Sequence, residues 1–185
     1  MAFIISGTTV ISYAEATDVK DKDQRVFEAN EIDFADAPDA PATLDDYLED
    51  LTTKSTARIS EKIRASAAWR EYLGLTVGYG SIDDIPAFNP SLIVARKSDF
   101  TDMCCYYTLK EYLLPKVADF GNPDSPEVQK IKYYENKFND LFTELLAMIE
   151  WYDVDGDGTV TAGEKHTRIQ LNRRTRGRRN IVRVR

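Results

Sequence analysis

The apolar residues of this chain recur mostly in steps of three and four, the spacing of an amphipathic helix. The clearest stripe follows Thr43, a favourable helix N-cap, and Asp45 and Asp46 stand in the first turn, where the helix dipole favours negative charge. One polar residue, Ser55, interrupts the stripe, which consists of Leu44, Leu48, Leu51, Ile59 and Ile63. The pattern predicts a long helix ending at about Ala67.

A connector is expected after this helix. Trp69, Tyr72 and Leu73 keep the apolar character until Gly74 breaks the helical pattern. Residues 74–97 contain three glycines and two prolines, and so we predict an irregular connector there.

A second long helix is predicted to begin at Ser98 or Asp99. Pro115 should kink or end it, because proline lacks the amide that a helix interior needs. The apolar positions expected in its core are Phe100, Met103, Tyr107 and Leu114.

A third long helix has a well-marked start. Ser125 suits the N-cap, Pro126 the first helical position and Glu127 the first turn. The stripe that follows predicts a helix up to Trp151 and consists of Val128, Ile131, Tyr134, Phe138, Leu141, Phe142, Leu145 and Ile149.

The N-terminal part predicts shorter elements. Residues 3–13 are β-branched and aromatic around a Ser-Gly pair, which indicates a short strand or hairpin. Thr17 is expected to cap a short helix to about Ala29, and residues 33–42 have the Pro/Asp/Ala composition of a linker.

The predicted fold is therefore mainly α: an antiparallel helical bundle with a short N-terminal β segment. Residues 1–41 form the N-terminal strand, short helix and linker, and residues 42–152 form the helical body. An acidic EF-hand-like loop follows at 153–164, and an extended basic tail at 165–185.

The acidic loop is the sharpest motif of the chain. Carboxylates at positions 1, 3, 5 and 12 and a glycine at position 6 match a calcium-binding loop, in which position 7 contributes its carbonyl and position 9 acts directly or through water. The predicted metal ligands are Asp153, Asp155, Asp157, Thr159, Thr161 and Glu164. A structural Ca²⁺ ion is the predicted cofactor, and the alternatives are a solvated acidic turn or a turn clamped by a neighbour's arginines.

Calcium sensing is disfavoured by the residues that follow the loop. An exit helix should carry apolar residues, but residues 165–171 offer only Ile169 and Leu171. A second loop to pair with the first is also missing from the sequence, and a sensor needs a groove that opens. The pattern favours a static calcium staple.

Charge is strongly segregated along the chain. Residues 1–164 carry 15 Lys and Arg against 31 Asp and Glu, whereas residues 165–185 carry nine basic residues and no acidic one. The body is acidic and would repel DNA, so the tail is expected to bind an acidic protein surface; nucleic acid and plain solvation are the alternatives. The predicted partner-binding residues are Arg173, Arg174, Arg176, Arg178, Arg179, Ile181, Val182, Arg183, Val184 and Arg185.

Signatures of catalysis are missing from the sequence. The single histidine, His166, cannot build a multi-histidine metal centre, and no Gly-x-Ser-x-Gly elbow is present. The adjacent Cys104 and Cys105 are expected to be small buried side chains, with an intersubunit disulfide as the alternative. We predict that the protein is not an enzyme.

With no membrane-length apolar run and no secretory signal, no membrane association is expected.

Several stretches resemble the head–tail adaptor (connector, head-completion or neck) proteins of tailed bacteriophages. They are the opening residues 3–14, the helix 51–64 with the Trp-Arg-Glu-Tyr that follows it, and the Tyr-rich helix that ends in Leu-Phe-Thr-Glu-Leu-Leu. The acidic turn and the basic C-terminus complete the resemblance, which spans most of the chain.

This resemblance implies a helical, non-catalytic virion subunit that assembles into a ring, commonly a dodecamer, in the neck, after assembly in the host cytoplasm. The ring would join the portal to a tail-side neck protein and line the DNA channel, with the C-terminal segment gripping the portal. The alternative functions are a calcium-binding protein-interaction module and a nucleic-acid accessory protein that acts through its Arg-rich tail.

Overall fold

The computed structural model describes residues 3–28, 43–76, 78 and 87–167, and these are mainly helical with a short two-stranded sheet at the N-terminus. The linker and most of the basic tail lie outside the described residues. In chain order the elements are β1 (Ile4–Ser6), β2 (Thr9–Ser12), α1 (Ala16–Lys22), α2 (Gln24–Glu28), α3 (Leu44–Ala65), α4 (Ala67–Thr76), α5 (Lys97–Thr108), α6 (Leu114–Val117), α7 (Pro126–Ala147), β3 (Met148–Ile149) and β4 (His166–Thr167).

The predicted N-terminal hairpin is confirmed. Strands β1 and β2 pair antiparallel, with Ile5 opposite Val10 and Ser6 opposite Thr9. Gly7 lies in the turn with a φ of 62°, a left-handed conformation that glycine adopts without steric penalty.

The predicted first helix starts earlier than expected and is divided in two: α1 ends at Lys22, and α2 continues to Glu28, one residue before the predicted end. Thr17 is not its cap; Glu15 is, and the Glu15 amide donates to the Asp18 carboxylate at 3.0 Å. The helix stops at Lys22 because the next residue, Asp23, is buried and has a non-helical backbone (φ −148°, ψ 77°). Its carboxylate accepts hydrogen bonds from Lys130 at 2.8 Å and from the Tyr134 hydroxyl at 3.2 Å, so a long-range contact interrupts the helical pattern.

The N-cap of α3 is confirmed, because the Thr43 hydroxyl accepts from the Asp46 amide at 3.2 Å. The helix ends at Ala65, and the extended Ser66 separates it from α4. The predicted break at Gly74 is wrong: α4 continues to Thr76. Burial of the preceding Trp69, Tyr72 and Leu73 outweighs a glycine penalty of about 1 kcal/mol.

Helix α5 begins one residue before the predicted start, and its cap is Arg96, which has a left-handed φ of 54°. All four predicted core positions of this segment are buried: Phe100, Met103, Tyr107 and Leu114. A π-helical turn at Leu109–Leu113 precedes Pro115, and helical structure ends at Val117, close to where the proline was predicted to disturb it.

The start of α7 is confirmed, since the Ser125 hydroxyl accepts from the Val128 amide at 3.3 Å. The helix ends at Ala147, short of the predicted Trp151. Two effects end it: the next two residues pair with β4, and the buried Trp151 indole donates to the Leu145 carbonyl at 2.9 Å.

Helix α5 occupies the centre of the described body, where it contacts α1, α3 and α7. Its contact with α3 is partly polar, and the side chain that interrupts the α3 stripe, Ser55, is fully buried there. No helix among the described residues has the length and apolar content that crossing a bilayer requires.

An aromatic cluster ties α4 to the end of the body and positions the acidic loop. The rings of Trp69 and Trp151 stack with centroids 6.0 Å apart and an interplanar angle of 10°. Phe88 and Tyr152 pack edge-on against Trp69, at 5.1 and 4.7 Å. All four side chains are buried, so the residues just before the loop are fixed to the core.

Candidate metal-binding loop

The entrance of the loop is attached to the segment that precedes α5. Tyr152 forms an antiparallel bridge with Ile93, and the Asp153 amide donates to the Leu92 carbonyl at 2.9 Å. The Val94 amide donates to the Trp151 carbonyl at 3.0 Å. The first ligand position therefore has a fixed backbone.

The exit of the loop returns to the same end of the body. Strand β4 pairs antiparallel with β3, with Met148 opposite Thr167 and Ile149 opposite His166. The Glu164 amide donates to the Thr161 carbonyl at 3.1 Å. A strand pair, rather than a pair of helices, thus brings the two ends of the loop together.

Asp153 points into the loop and is only 1% exposed. Its two carboxylate oxygens accept from the amides of Gly156 and Gly158, both at 2.7 Å. Both glycines have positive φ, 76° and 90°, which turns their amides inward towards the carboxylate.

Glu164 closes the loop from the opposite end and is also buried. One of its oxygens accepts from the Val154 amide at 2.7 Å and from the Asp155 amide at 3.3 Å. The other accepts from the amide and the hydroxyl of Thr161, at 2.7 and 2.9 Å. The first and last ligand positions are therefore connected through backbone donors.

The two central carboxylates are exposed. Asp155 accepts from the Asp157 amide at 3.1 Å, and Asp157 accepts from the amide and the hydroxyl of Thr159, both at 2.8 Å. These short-range bonds fold the middle of the loop.

Three of the predicted ligands come together. Asp153, Asp155 and Glu164 each offer a carboxylate oxygen within 4.8 Å of the others, and this group could hold a metal ion. The separation suits a divalent cation, since oxygens on opposite sides of Ca²⁺ are about 4.6–5.2 Å apart. Asp157 is not a member of this group. Thr159 and Thr161 turn their hydroxyls to neighbouring carboxylates.

The pKa values of the exposed Asp155 and the buried Glu164 are shifted in opposite directions. Donation by the backbone amide of Thr161, together with the other loop donors, lowers the pKa of Glu164. The Asp157 amide acts in the same direction on Asp155, but desolvation and the neighbouring carboxylates outweigh it, so the pKa of Asp155 is raised. A cation would relieve the repulsion felt by Asp155.

Within the described part of the chain, no ion pair involves Asp153, Asp155, Asp157 or Glu164. Among the described residues, therefore, no arginine neutralises the loop carboxylates. The predicted partner-binding residues lie outside the described residues: Arg173, Arg174, Arg176, Arg178, Arg179, Ile181, Val182, Arg183, Val184 and Arg185.

The sequence did not predict the segment that supports the loop, residues 88–95, which we call the platform. Residues 88–95 were predicted as part of an irregular connector, yet they hold the loop entrance through Leu92 and Ile93. Tyr72 also lies there, donating to the Tyr152 carbonyl at 3.4 Å, and desolvation together with the charge of Glu164 raises its pKa. The run Leu-Ile-Val at 92–94 was the available signal, since three consecutive apolar residues are unusual in a solvated connector.

No family model matches the chain, and neither the curated proteins nor the solved structures include a significant match to it.

Proposed function

We propose that the 153–164 loop binds one Ca²⁺ ion as a structural staple. The observation that carries this proposal is the convergence of Asp153, Asp155 and Glu164 in a loop with calcium-type spacing. Calcium fits better than magnesium because a bidentate glutamate and a carbonyl ligand build six to eight oxygen contacts, whereas Mg²⁺ demands a small octahedral site.

A static role suits this site better than a sensing role. Sensors expose an apolar groove when two helices flanking the loop move apart. Here the loop ends in β4, which pairs with β3, and its entrance is hydrogen-bonded to residues 92–94. Ion binding would stiffen this junction and fix the place where the basic segment leaves the body.

Calorimetric titration of the full chain with CaCl₂ tests the ion site. We expect one ion per chain and a higher melting temperature with calcium. Glu164→Gln should abolish binding, because it removes the bidentate carboxylate. Glu150→Gln, at an exposed glutamate outside the loop, is the matched control and should bind as the wild type does. Equal binding by the wild type and Glu164→Gln would refute the site.

We also propose that the protein is a structural adaptor subunit of a tailed-bacteriophage neck, forming a ring that joins the portal to the tail around the DNA channel. The resemblance of the sequence to that family supports this role. So does the combination of a mainly helical body with an arginine-rich C-terminal sequence.

Charge supports a protein rather than a nucleic acid as the main target of the tail. The body, with 31 acidic residues before position 165, would weaken contact with phosphates. A portal or neighbouring subunit with an acidic surface would bind the arginines, and the bidentate geometry of guanidinium and carboxylate groups would give specificity.

Analytical ultracentrifugation of the full chain with a purified portal protein tests the adaptor role. We expect a ring or a portal complex with the full chain, and loss of portal binding when residues 173–185 are deleted. A strict monomer that ignores the portal would contradict the proposal. Binding to DNA that weakens steeply with salt and needs the same residues would favour the nucleic-acid alternative.

A further inference from the structure

The peptide bond between Tyr152 and Asp153 is held from both sides. Its N–H group, the amide of Asp153, donates to the Leu92 carbonyl at 2.9 Å. Its carbonyl, that of Tyr152, accepts from the Tyr72 hydroxyl at 3.4 Å. The two partners belong to different parts of the fold, the platform and helix α4. With both polar groups of this peptide plane bonded, the plane cannot rotate without breaking a buried hydrogen bond.

Tyr72 is itself firmly placed. Its side chain is fully buried, and its ring centroid lies 5.3 Å from that of Trp69. Trp69 in turn stacks on Trp151, which directly precedes the clamped residues. Side chains in a closely packed interior hold their positions, so the Tyr72 hydroxyl is a fixed support rather than an adaptable one.

The Tyr72 hydroxyl also lies close to the charged end residues of the loop. Desolvation raises the pKa of Tyr72, and the negative charges of Glu164 and Asp153 raise it further. The phenol therefore stays protonated when the carboxylates are ionised, and it can serve as a donor beneath the anionic loop.

A fixed backbone at Asp153 bears on the size of the ion. Carboxylate oxygens of Asp153, Asp155 and Glu164 lie within 4.8 Å of one another. Opposite ligands of Mg²⁺ are about 4.0–4.2 Å apart, against about 4.6–5.2 Å for Ca²⁺. A smaller ion would therefore pull Asp153 inward. Since its carboxylate is already bonded to two loop amides at 2.7 Å, this movement must displace the backbone that the clamp holds.

We propose that Tyr72 is a positioning residue that determines the ion specificity of the 153–164 loop. Its hydroxyl fixes the Tyr152–Asp153 peptide, so that Asp153 meets an ion of the size of calcium and resists following a smaller one. Helix α4, 80 positions away from the loop entrance in the sequence, thereby becomes part of the site. This inference rests on the proposed calcium site and is independent of the adaptor role.

Calorimetric titration of Tyr72→Phe with CaCl₂ tests the positioning. The variant keeps the ring and loses only the hydroxyl. We expect the dissociation constant for Ca²⁺ to rise about three- to thirtyfold, somewhat less than for a partner bonded directly to a ligand side chain. Tyr13→Phe is the matched control, because this tyrosine is also fully buried and its hydroxyl shares a hydrogen bond of 2.9 Å with Ser60. Its affinity should equal that of the wild type.

Competition between La³⁺ and Lu³⁺ separates positioning from a general weakening of the fold. The two ions carry the same charge, and Lu³⁺ is the smaller. We expect the ratio of La³⁺ to Lu³⁺ affinity to fall about three- to tenfold in Tyr72→Phe, because a ligand that is free to move inward accommodates the smaller ion. A merely structural role would lower both affinities alike and leave the ratio unchanged.

The outcomes distinguish this inference from the ion site on which it rests. If the wild type binds Ca²⁺ and Tyr72→Phe binds it equally well, or keeps the wild-type La³⁺ to Lu³⁺ ratio, the role of Tyr72 is overturned and the ion site stands. A wild type that binds no Ca²⁺ refutes the ion site and this inference together.

Discussion

Ser55 and Thr108 share a hydrogen bond of 2.7 Å across the contact between α3 and α5, and both side chains are fully buried. The Thr108 hydroxyl also donates to the Cys104 carbonyl at 2.9 Å, so the proton between the two hydroxyls comes from Ser55. The polar residue that interrupts the α3 stripe is therefore satisfied by a partner 53 positions away.

Thr108→Val should destabilise the protein by about 1–3 kcal/mol, because it leaves the buried Ser55 hydroxyl without this acceptor. Ser55→Ala removes the donor and should cost about 1 kcal/mol. The double variant should lose less than the sum of the two. Urea unfolding measures all three, with Thr53→Ala, on the same helix, as the control. Strict additivity would show that the two residues are not coupled.

Asp23 joins the interrupted N-terminal helix to α7. Replacing it by alanine leaves the Tyr134 hydroxyl and the Lys130 ammonium without their carboxylate, and should lower the free energy of unfolding by about 1–3 kcal/mol. Asp21→Ala, at an exposed position two residues earlier, should change it by less than about 0.5 kcal/mol. Equal losses in the two variants would contradict a specific role for Asp23.

Cys104 and Cys105 should not react with Ellman's reagent at pH 8 in the folded protein, and both should react in denaturant. Both thiols are free and buried, and burial raises the pKa of Cys104 to about 12 and also raises that of Cys105. Only the thiolate reacts. Fast labelling of the native protein would show that this part of the core opens readily.

The same two thiols predict how stability depends on alkaline pH. The folded state holds their protons above the ordinary pKa of 9.0, so it binds more protons than the unfolded state between about pH 9 and 12. The free energy of unfolding should therefore fall as the pH rises through that range. Urea unfolding at pH 8 and pH 10, with Cys104→Ala as comparison, checks this, and a smaller fall is expected for the variant.

Gly158→Ala should weaken both the loop and calcium binding. The glycine has a φ of 90° and no heavy atom within 4 Å of an added Cβ, so the cost is the backbone conformation alone, about 1–2 kcal/mol. Gly163→Ala, in the same loop without positive φ, is the control and should be nearly neutral. Thermal unfolding with and without CaCl₂ compares them. Equal effects would mean that the left-handed turn at position 158 is unimportant.

The sequence was most informative where structure is determined locally. The caps Thr43 and Ser125 and the turn around Gly7 depend on bonds to residues a few positions away, so the pattern alone predicted them. The end of α7 could not be predicted in that way. It depends on the pairing of Ile149 with His166, across a loop whose geometry the periodicity does not encode.

The candidate site also combines features that are determined locally with features that depend on tertiary contacts. Its spacing predicted four converging carboxylates; Asp153, Asp155 and Glu164 come together, whereas Asp157 is not a member of that group. The burial of Asp153 and Glu164 depends on the bridge between Ile93 and Tyr152 and on the aromatic cluster beneath it, which are tertiary contacts. Spacing alone therefore predicted this group of carboxylates but not the tertiary contacts that position it.

The two-residue pairing of β3 with β4 has a mechanical consequence. Any pull on the chain beyond Thr167 is borne first by this short ladder, and next by the turn that closes on Glu164. The residues between Ile149 and His166 carry that load only after the ladder has opened. The ladder should therefore open before the loop unfolds, and an ion held within the turn would raise the force needed to unfold the loop.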